Sequence, residues 1–295
     1  MPEPQLSVVV PSVYGFPYIG ACIDALESRC PGAEIIVADS TDESTRSRIS
    51  EGWPNVRLIS FNRPTPIPQL RAAGIAAATA PIVAVIEDHC IVTDDWCSSI
   101  LIAHSQGHLV VGGPVRNVAT SRIRDWAAFL CEYSANTEPV SRGVVTSLPG
   151  MNVAYDRKAV EAIDGLLRRG VWETWLHRHL RAKGIELFRE PAAVVEHAKG
   201  FGFFEFLGQR YHYSRAYAGL RNHELGWKRL IYFFGSPLLV PLVVCRILGN
   251  VRARRRYGRQ LLLATPLILV YTGAYAAGEA VGYVLGGGDS LLRVK

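Results

Sequence analysis

The chain has 295 residues, which is enough for two folding units or for one large α/β unit with an appendage. Hydrophobic residues make up 49% and charged residues 20%, a composition that excludes disordered, collagen-like and low-complexity chains. The net charge of +6 is uneven, because residues 200–295 hold 13 Lys and Arg against 4 Asp and Glu. Since this basic part also holds the longest apolar stretches, it indicates membrane lipids as partners and argues against nucleic acid.

The first 115 residues alternate short β-branched runs with helical patterns, which is typical of βαβ units around a mostly parallel, buried sheet. The predicted strands are Leu6–Val10, Ala33–Ala38, Val56–Phe61 and Pro81–Ile86, and the predicted helices between them are Pro17–Ser28, Asp42–Ile49 and Gln69–Thr79. The same domain is predicted to continue with a strand at Leu109–Val111, helices at Arg157–Ile163 and Glu173–Ala182, and an extended segment at Glu186–Val195. Ligands of open α/β sheets bind beyond the carboxyl ends of the strands, so the polar clusters there are the expected site.

The remainder of the chain is predicted to associate with a membrane. Residues 201–228 form an aromatic and basic amphipathic region, expected at a lipid surface, and residues 229–295 are hydrophobic helices around an Arg-rich loop. Ile231–Cys245 is shorter than the about 20 residues of a span and contains two prolines, which favours a re-entrant or in-plane hairpin. Leu261–Leu285 is long enough to span, although it contains Glu279.

The compartment follows from the cysteines and the N-terminus. The six cysteines form no Cys-x-x-Cys pair and have no zinc-like spacing with histidine, so neither a disulfide framework nor a structural zinc is expected. Residues 1–6 lack the positively charged region of a signal peptide. Residues 1–200 are therefore expected to form a cytoplasmic domain.

The strongest candidate site is Glu87-Asp88-His89, directly after the apolar strand that ends at Ile86. Carboxylate and imidazole groups on such a turn can hold a divalent cation, which in turn binds the oxygens of a diphosphate. The alternative is an acidic turn that only terminates the strand.

Three other segments precede this turn: VVVPSVY at residues 8–14, IIVADSTD at residues 35–42 and LRAAG at residues 70–74. Together with the turn, in this order, they resemble the family 2 glycosyltransferases, which have the GT-A fold, over about residues 6–200. The resemblance implies a Rossmann-like α/β domain, a nucleotide diphospho-sugar donor, a divalent cation (Mn²⁺ or Mg²⁺) and inversion at the anomeric carbon. It implies a nucleotide-sugar site lined by Pro11, Val13, Tyr14, Asp39, Arg71, Glu87 and Asp88.

Glu87, Asp88 and His89 stand where the family has its D-x-D motif, and Asp88 and His89 are the implied metal ligands. Imidazole suits Mn²⁺ better than Mg²⁺. His197 is a further candidate ligand, although a lone histidine is also a common structural group. Asp39 is expected to contact the base or ribose, or else to cap the helix that begins near Asp42.

In the second half of the domain, Gly150 and Asn152 resemble the family's acceptor-side segment, although Gly-Asn turns are common. Glu173 occupies the place of the family's acidic pair, with Thr174 as the second residue. We expect Glu173 to be the general base, because a hydroxyl acceptor must lose its proton as it attacks. The alternative is that Glu173 only favours the positive end of a helix.

The sequence thus predicts a membrane-associated, metal-dependent glycosyltransferase that acts on a lipid or lipid-linked glycan, in the biosynthesis of envelope polysaccharide or glycolipid. Because Glu87, His89 and Thr174 depart from the family pattern, a catalytically inactive nucleotide-sugar-binding module of a membrane-bound assembly is the alternative. A nucleotidyltransferase would need a basic Gly-rich loop after the first strand, and residues 11–17 contain one Gly and no Lys or Arg.

Overall fold

A computed structural model describes residues 3–294. They divide into two compact units: the first contains the chain up to Val118 together with Asn136–Lys199, and the second contains Ala119–Ala135 together with the chain from Gly200 onwards. A segment from the middle of the predicted catalytic domain therefore belongs to the second unit.

The first unit is a mixed α/β fold. Its strands are β1 (Leu6–Ser12), β2 (Glu34–Asp39), β3 (Arg57–Ser60), β4 (Ile82–Ile86), β5 (Cys90–Val92), β6 (Val110–Gly112), β7 (Val115–Asn117), β8 (Gly143–Val145), β9 (Asn152–Asp156), β10 (Leu187–Arg189) and β11 (Val195–His197). The helices of the chain are α1 (Tyr18–Arg29), α2 (Glu43–Gly52), α3 (Ile67–Ala77), α4 (Trp96–Ser105), α5 (Ile123–Tyr133), α6 (Arg157–Arg168), α7 (Glu173–Ala182), α8 (Phe203–Leu225), α9 (Arg229–Gly235), α10 (Leu239–Arg254) and α11 (Gly258–Leu285).

Eight strands form the main sheet in the order β3-β2-β1-β4-β9-β6-β10-β8. Strands β3, β2, β1 and β4 are parallel, whereas β9 lies antiparallel between β4 and β6. The chain runs outward from β1 to β3 and then returns to the other side of β1 with β4. The carboxyl ends of β1 and β4 therefore form a topological switch point, where sheets of this kind bind their ligands.

Three of the predicted strands, β1, β2 and β4, are buried because β-branched runs inside a parallel sheet are covered on both faces, whereas β3 at the edge of the sheet is partly exposed. All seven residues of β1 are buried. Helix α3 packs very closely on this strand, since a Cβ at Gly74 would lie 2.2 Å from Cγ1 of Val9. Any side chain at position 74 would clash with Val9, so a glycine is needed for the helix to pack this closely on the strand.

A second sheet of three short strands, in the order β5-β11-β7, follows the end of β4. Strand β11 pairs antiparallel with β5, so that His197 lies opposite Cys90. This pairing brings the last strand of the unit beside the Glu87–His89 turn.

The second unit is helical and is built around α11. Helix α8 packs against it at two glycines, because a Cβ at Gly278 would lie 2.2 Å from the carbonyl oxygen of Tyr211 and one at Gly282 would lie 2.6 Å from that of Arg215. Small residues four apart allow two helix backbones to approach in this way.

Within residues 3–294, two helical stretches of the second unit are long and apolar enough to cross a membrane, by length and composition alone: Gly226–Arg254, with an 18-residue segment of mean hydropathy 1.9 that is 11% buried, and Gly258–Leu285, with one of mean hydropathy 1.6 that is 39% buried. The first stretch is longer than the predicted Ile231–Cys245. Pro237 lies in a 3₁₀ turn and Pro241 in the first turn of α10, positions where a missing N–H does not interrupt a helix.

Candidate functional site

The loop after β1 is hydrogen-bonded to the turn after β4 through a single carboxylate. Oδ2 of Asp88 accepts hydrogen bonds from the backbone N–H groups of Val13 (2.8 Å), Tyr14 (2.7 Å) and Gly15 (3.4 Å). Asp88 is fully buried. Two of the segments that carried the family resemblance therefore meet at the switch point.

Two histidines meet beside this carboxylate. The rings of His89 and His197 are 4.7 Å apart in an edge-to-face arrangement, and the N–H of Ala198 donates to the carbonyl of His89 at 3.0 Å. Nδ1 of His89 lies 3.2 Å from Oδ1 of Asp88, and Nε2 lies 3.5 Å from Oε2 of Glu87. Both predicted histidine ligands are thus next to the predicted carboxylates.

Burial and charge act differently on the two imidazoles. Burial disfavours the charged form of His89, but the carboxylates of Asp88 and Glu87 outweigh it and raise the pKa. At His197, burial and the neighbouring His89 both lower the pKa, well below its usual value. His197 is therefore neutral near pH 7, the form of imidazole that binds metal ions.

Two imidazoles and neighbouring carboxylates are donors that suit Mn²⁺. Within residues 3–294, however, no three His, Cys, Asp or Glu side chains are already grouped to hold a metal ion. Glu87 is engaged elsewhere, because its Oε1 accepts a hydrogen bond of 2.6 Å from Arg71. These side chains are donors of a kind that suits a divalent cation. To bind the cation, Glu87 or Asp88 has to exchange part of its present hydrogen bonding for a bond to the metal.

Arg71 joins the two halves of the predicted site. Its second amino group donates to Oε2 of Glu173 at 2.8 Å, so one guanidinium links Glu173 to Glu87. Gly150 lies against Glu173, and a Cβ there would be 2.5 Å from the Glu173 carboxyl carbon. The predicted nucleotide, metal and acceptor residues are thus in direct contact.

A buried lysine near Tyr14 was missed by the sequence analysis. Nζ of Lys199 lies 4.0 Å from the centre of the Tyr14 ring and 5.6 Å from that of Tyr18, and the Tyr14 ring lies edge-on to His89. The sequence signal was a lysine two residues after His197. Its positive charge lies where a diphosphate is expected.

Asp39 ends β2 at the same edge of the sheet and is fully buried. It accepts hydrogen bonds from the backbone and hydroxyl of Thr41 (3.2 and 2.8 Å) and from Nε of Arg46 (3.0 Å). These three hydrogen bonds hold the Asp39 carboxylate against the start of α2 and use three of its about four acceptor positions. The alternative that Asp39 caps α2 is wrong, because Asp42 accepts the capping hydrogen bond from Thr45.

Two other residues of the predicted site, Pro11 and Asn152, lie inside β-strands. Pro11 is a buried residue of β1. Asn152 is fully buried in β9: its amide group donates to the carbonyls of Pro114 and Ala193, and its oxygen accepts from Nε1 of Trp96 at 2.9 Å. Asn152 therefore connects backbone segments beneath the predicted acceptor side.

A mixed α/β sheet with charged residues grouped at its switch point belongs to the class of open α/β proteins that bind their ligands at that point. The chain matches the model of the glycosyl transferase family 2 over residues 7–163. Because this match covers more than half of the chain, the protein belongs to that family. No curated protein matches the sequence.

Solved structures show the same fold. They include the mannosyltransferase PcManGT from Pyrobaculum calidifontis in complex with GDP-Man and Mn²⁺ (16% identity, TM-score 0.56, 94% of this chain and 87% of that one). GalNAc-T7 with UDP, GalNAc and Mn²⁺ is similar over 66% of this chain and 44% of its own (15% identity, TM-score 0.51). TarS of S. aureus is similar over 94% of this chain and 55% of its own (12% identity, TM-score 0.51). The predicted GT-A fold and glycosyltransferase class are confirmed.

Proposed function

We propose that the protein transfers a sugar from a nucleotide diphospho-sugar to a lipid or lipid-linked glycan acceptor at a membrane, with inversion at the anomeric carbon. The observation that carries this proposal is the contact chain from Glu87 through Arg71 to Glu173. It links the turn expected to hold the diphosphate to the carboxylate expected to activate the acceptor.

The donor side is supplied by groups at the carboxyl ends of β1, β2 and β4. Tyr14 and Val13 border the nucleotide, Asp39 keeps one acceptor position for the base or ribose, and Lys199 brings a positive charge towards the diphosphate. The presence of GDP-Man in PcManGT and of UDP in GalNAc-T7 supports a nucleotide sugar as donor.

A divalent cation fits His89 and His197 together with a carboxylate from Glu87 or Asp88. When bound there, it supplies positive charge that stabilises the departing nucleoside diphosphate. Mn²⁺ in both relatives supports this cofactor, and two imidazole donors favour Mn²⁺ over Mg²⁺.

Glu173 is the general base of the proposed reaction. It lies at the start of α7, and Arg71 fixes one of its two carboxylate oxygens. The acceptor side is bordered by Gly150, whose missing side chain lets the Glu173 carboxylate lie directly against the backbone there. A single carboxylate that removes the acceptor proton during direct attack on the anomeric carbon produces inversion.

Membrane association is supported by the second unit. The most apolar 18 residues of the stretch Gly226–Arg254 are only 11% buried, and the stretch ends in the basic residues that precede α11. An exposed apolar helix with arginines at its end suits the interface of an anionic membrane. With the first stretch lying in the interface and not crossing, the arginine-rich loop and the catalytic unit are on the same side, which the positive loop and the use of a nucleotide sugar make the cytoplasmic side.

The test is transfer and donor binding by Glu173→Gln. We expect sugar transfer to fall at least a hundredfold in detergent with Mn²⁺ and a lipid acceptor mixture, while affinity for the nucleoside diphosphate stays within threefold of wild type. Glu161→Gln, at an exposed position on α6, is the matched control. Full activity of Glu173→Gln would remove this residue from the mechanism.

An inactive binding module is the competing function, and it is favoured by the fact that the metal-binding side chains among residues 3–294 are not preassembled. Wild-type protein that binds nucleotide sugars but neither hydrolyses nor transfers them with Mn²⁺ would support this module. Multiple turnovers would exclude it.

A further inference from the structure

We propose that Asp88 is a positioning residue, which fixes the loop after β1 and the ring of His89 in one arrangement and does not itself bind the metal. This inference rests on the proposed function only in naming His89 as a metal ligand and the loop as part of the nucleotide site. Its physical basis is the hydrogen bonding of the Asp88 carboxylate.

Three consecutive backbone N–H groups, those of Val13, Tyr14 and Gly15, point at Oδ2 of Asp88. Successive N–H groups of this kind form a concave anion-binding site in a loop. Here the anion is the protein's own carboxylate, 73 to 75 residues away in the chain. The donor diphosphate therefore has to be held by side chains and the cation, because these N–H groups are already in use.

The other oxygen of the carboxylate is used by His89, whose Nδ1 lies 3.2 Å from Oδ1. An ionised carboxylate only accepts hydrogen bonds, so in the neutral ring the proton is on Nδ1 and the lone pair is on Nε2. Nε2 is the atom that faces Glu87, at 3.5 Å from its Oε2. A carboxylate that orients a metal-binding histidine in this way commonly affects metal affinity 10- to 100-fold.

The number of hydrogen-bond acceptor positions on the Asp88 carboxylate distinguishes a positioning role from that of a metal ligand. A carboxylate offers about two positions on each oxygen, and in the fully buried Asp88 the three N–H groups use all of Oδ2 while His89 uses one position of Oδ1. Coordination of a cation through Oδ2 would release the loop, and coordination through Oδ1 would place the cation in competition with the His89 ring. One residue thus couples the position of the nucleotide loop to the orientation of the metal-binding ring.

The direct test is hydrogen exchange of the amides of residues 13–15 in wild type, Asp88→Ala, Asp88→Asn and His89→Ala, all without metal or nucleotide. We expect exchange at least tenfold faster in Asp88→Ala, a clearly smaller increase in His89→Ala, whose ring packs against Tyr14 but accepts no hydrogen bond from the loop, and wild-type rates in the control Glu161→Gln. Asn has only one acceptor oxygen, which can face either the loop or His89. Asp88→Asn should therefore lose part of the protection of residues 13–15 if its oxygen faces His89, or part of the Mn²⁺ affinity if its oxygen faces the loop. This conservative variant replaces Asp88→Ala if that protein does not fold.

Binding measurements complete the test. In EDTA, affinity for UDP or GDP, whichever wild type binds, should fall at least tenfold in Asp88→Ala, clearly less in His89→Ala, whose role as a ligand needs the metal, and not at all in Glu161→Gln. Wild-type protection of residues 13–15 in Asp88→Ala, with a loss of Mn²⁺ binding equal to that of His89→Ala, would make Asp88 a ligand and overturn the proposal. Failure of wild type to bind UDP or GDP with Mn²⁺ would contradict the proposed donor, whereas the exchange result would still decide the role of Asp88.

Discussion

The guanidinium group of Arg71 lies 2.8 Å from the carboxylate of Glu173, a residue 102 positions further along the chain. The same guanidinium lies 2.6 Å from Glu87. A planar fork of donors can hold two carboxylates at once in a fixed geometry, which a single ammonium group does less well. Arg71 therefore sets the separation between the turn after β4 and the start of α7, and it offsets the charge of both carboxylates.

We expect Arg71→Lys to lower kcat/KM at least a hundredfold and to destabilise the first unit by about 1–3 kcal/mol, because one of the two carboxylates loses its partner in a mostly buried site. Urea unfolding and steady-state kinetics measure the two effects. Arg63→Lys, at an exposed position, is the matched control and should change neither. Wild-type kinetics of Arg71→Lys would contradict the bridging role.

Gly150→Ala is expected to separate activity from stability. The new Cβ would lie 2.5 Å from the carboxyl carbon of Glu173 and 2.7 Å from its Oε2, so the flexible carboxylate has to move while the backbone stays. A displacement of about 1 Å at a reacting group can cost a hundredfold in rate, so kcat should fall 10- to 100-fold with a melting temperature close to wild type.

Gly165→Ala in α6 serves as the control for Gly150→Ala, since nothing lies within 4 Å of its added Cβ. It should leave kcat unchanged and stabilise the helix slightly. An unchanged kcat in Gly150→Ala would show that Glu173 does not need its present position.

Acid should destabilise the first unit through His177. Burial lowers the pKa of His177 to about 4, and its Nε2 is 3.0 Å from the hydroxyl of Tyr155. The unfolded chain, with a histidine pKa of about 6.5, binds the proton first, so this stability is present above pH 6.5 and is lost as the pH falls towards 4. The loss amounts to roughly 3 kcal/mol for a shift of this size.

His177→Gln removes this titration and should flatten the fall in the free energy of unfolding between pH 6.5 and 4. Urea unfolding at a series of pH values measures it, and Arg181→Gln, exposed on the same helix, is the control. Parallel curves for His177→Gln and wild type would exclude His177 as the cause.

Replacement of exposed apolar side chains on Gly226–Arg254 tests membrane association. Phe234 and Leu238 are 76% and 62% exposed, and burying such a side chain is worth about 1.5–3 kcal/mol, so the double change to Ser should weaken partitioning into anionic vesicles more than tenfold. Co-sedimentation measures it, with Val144→Ser in the first unit as the control. If the double variant partitions into the vesicles as strongly as wild type, Phe234 and Leu238 do not contact the lipid.

Periodicity and composition predicted the elements that are long or wholly apolar. The strands β1, β2 and β4 and the helix Glu173–Ala182 are found where the patterns indicated them, because buried strands and amphipathic helices leave a clear signal. The three-residue strands β5, β7 and β11 were not predicted as strands of a second sheet, since segments so short carry no periodicity. Their pairing is nevertheless what brings His197 to His89.

The sequence by itself determined the α/β class, the family and the uneven charge of +6, because these depend on local pattern and residue type. Only the tertiary structure decided what each charged group does. Asp88 and Asp39 are both acidic residues at strand ends, yet one holds three backbone N–H groups of a distant loop and the other holds Arg46. A carboxylate acquires its role from the donors that the fold brings to it, and those donors lie far away in the sequence.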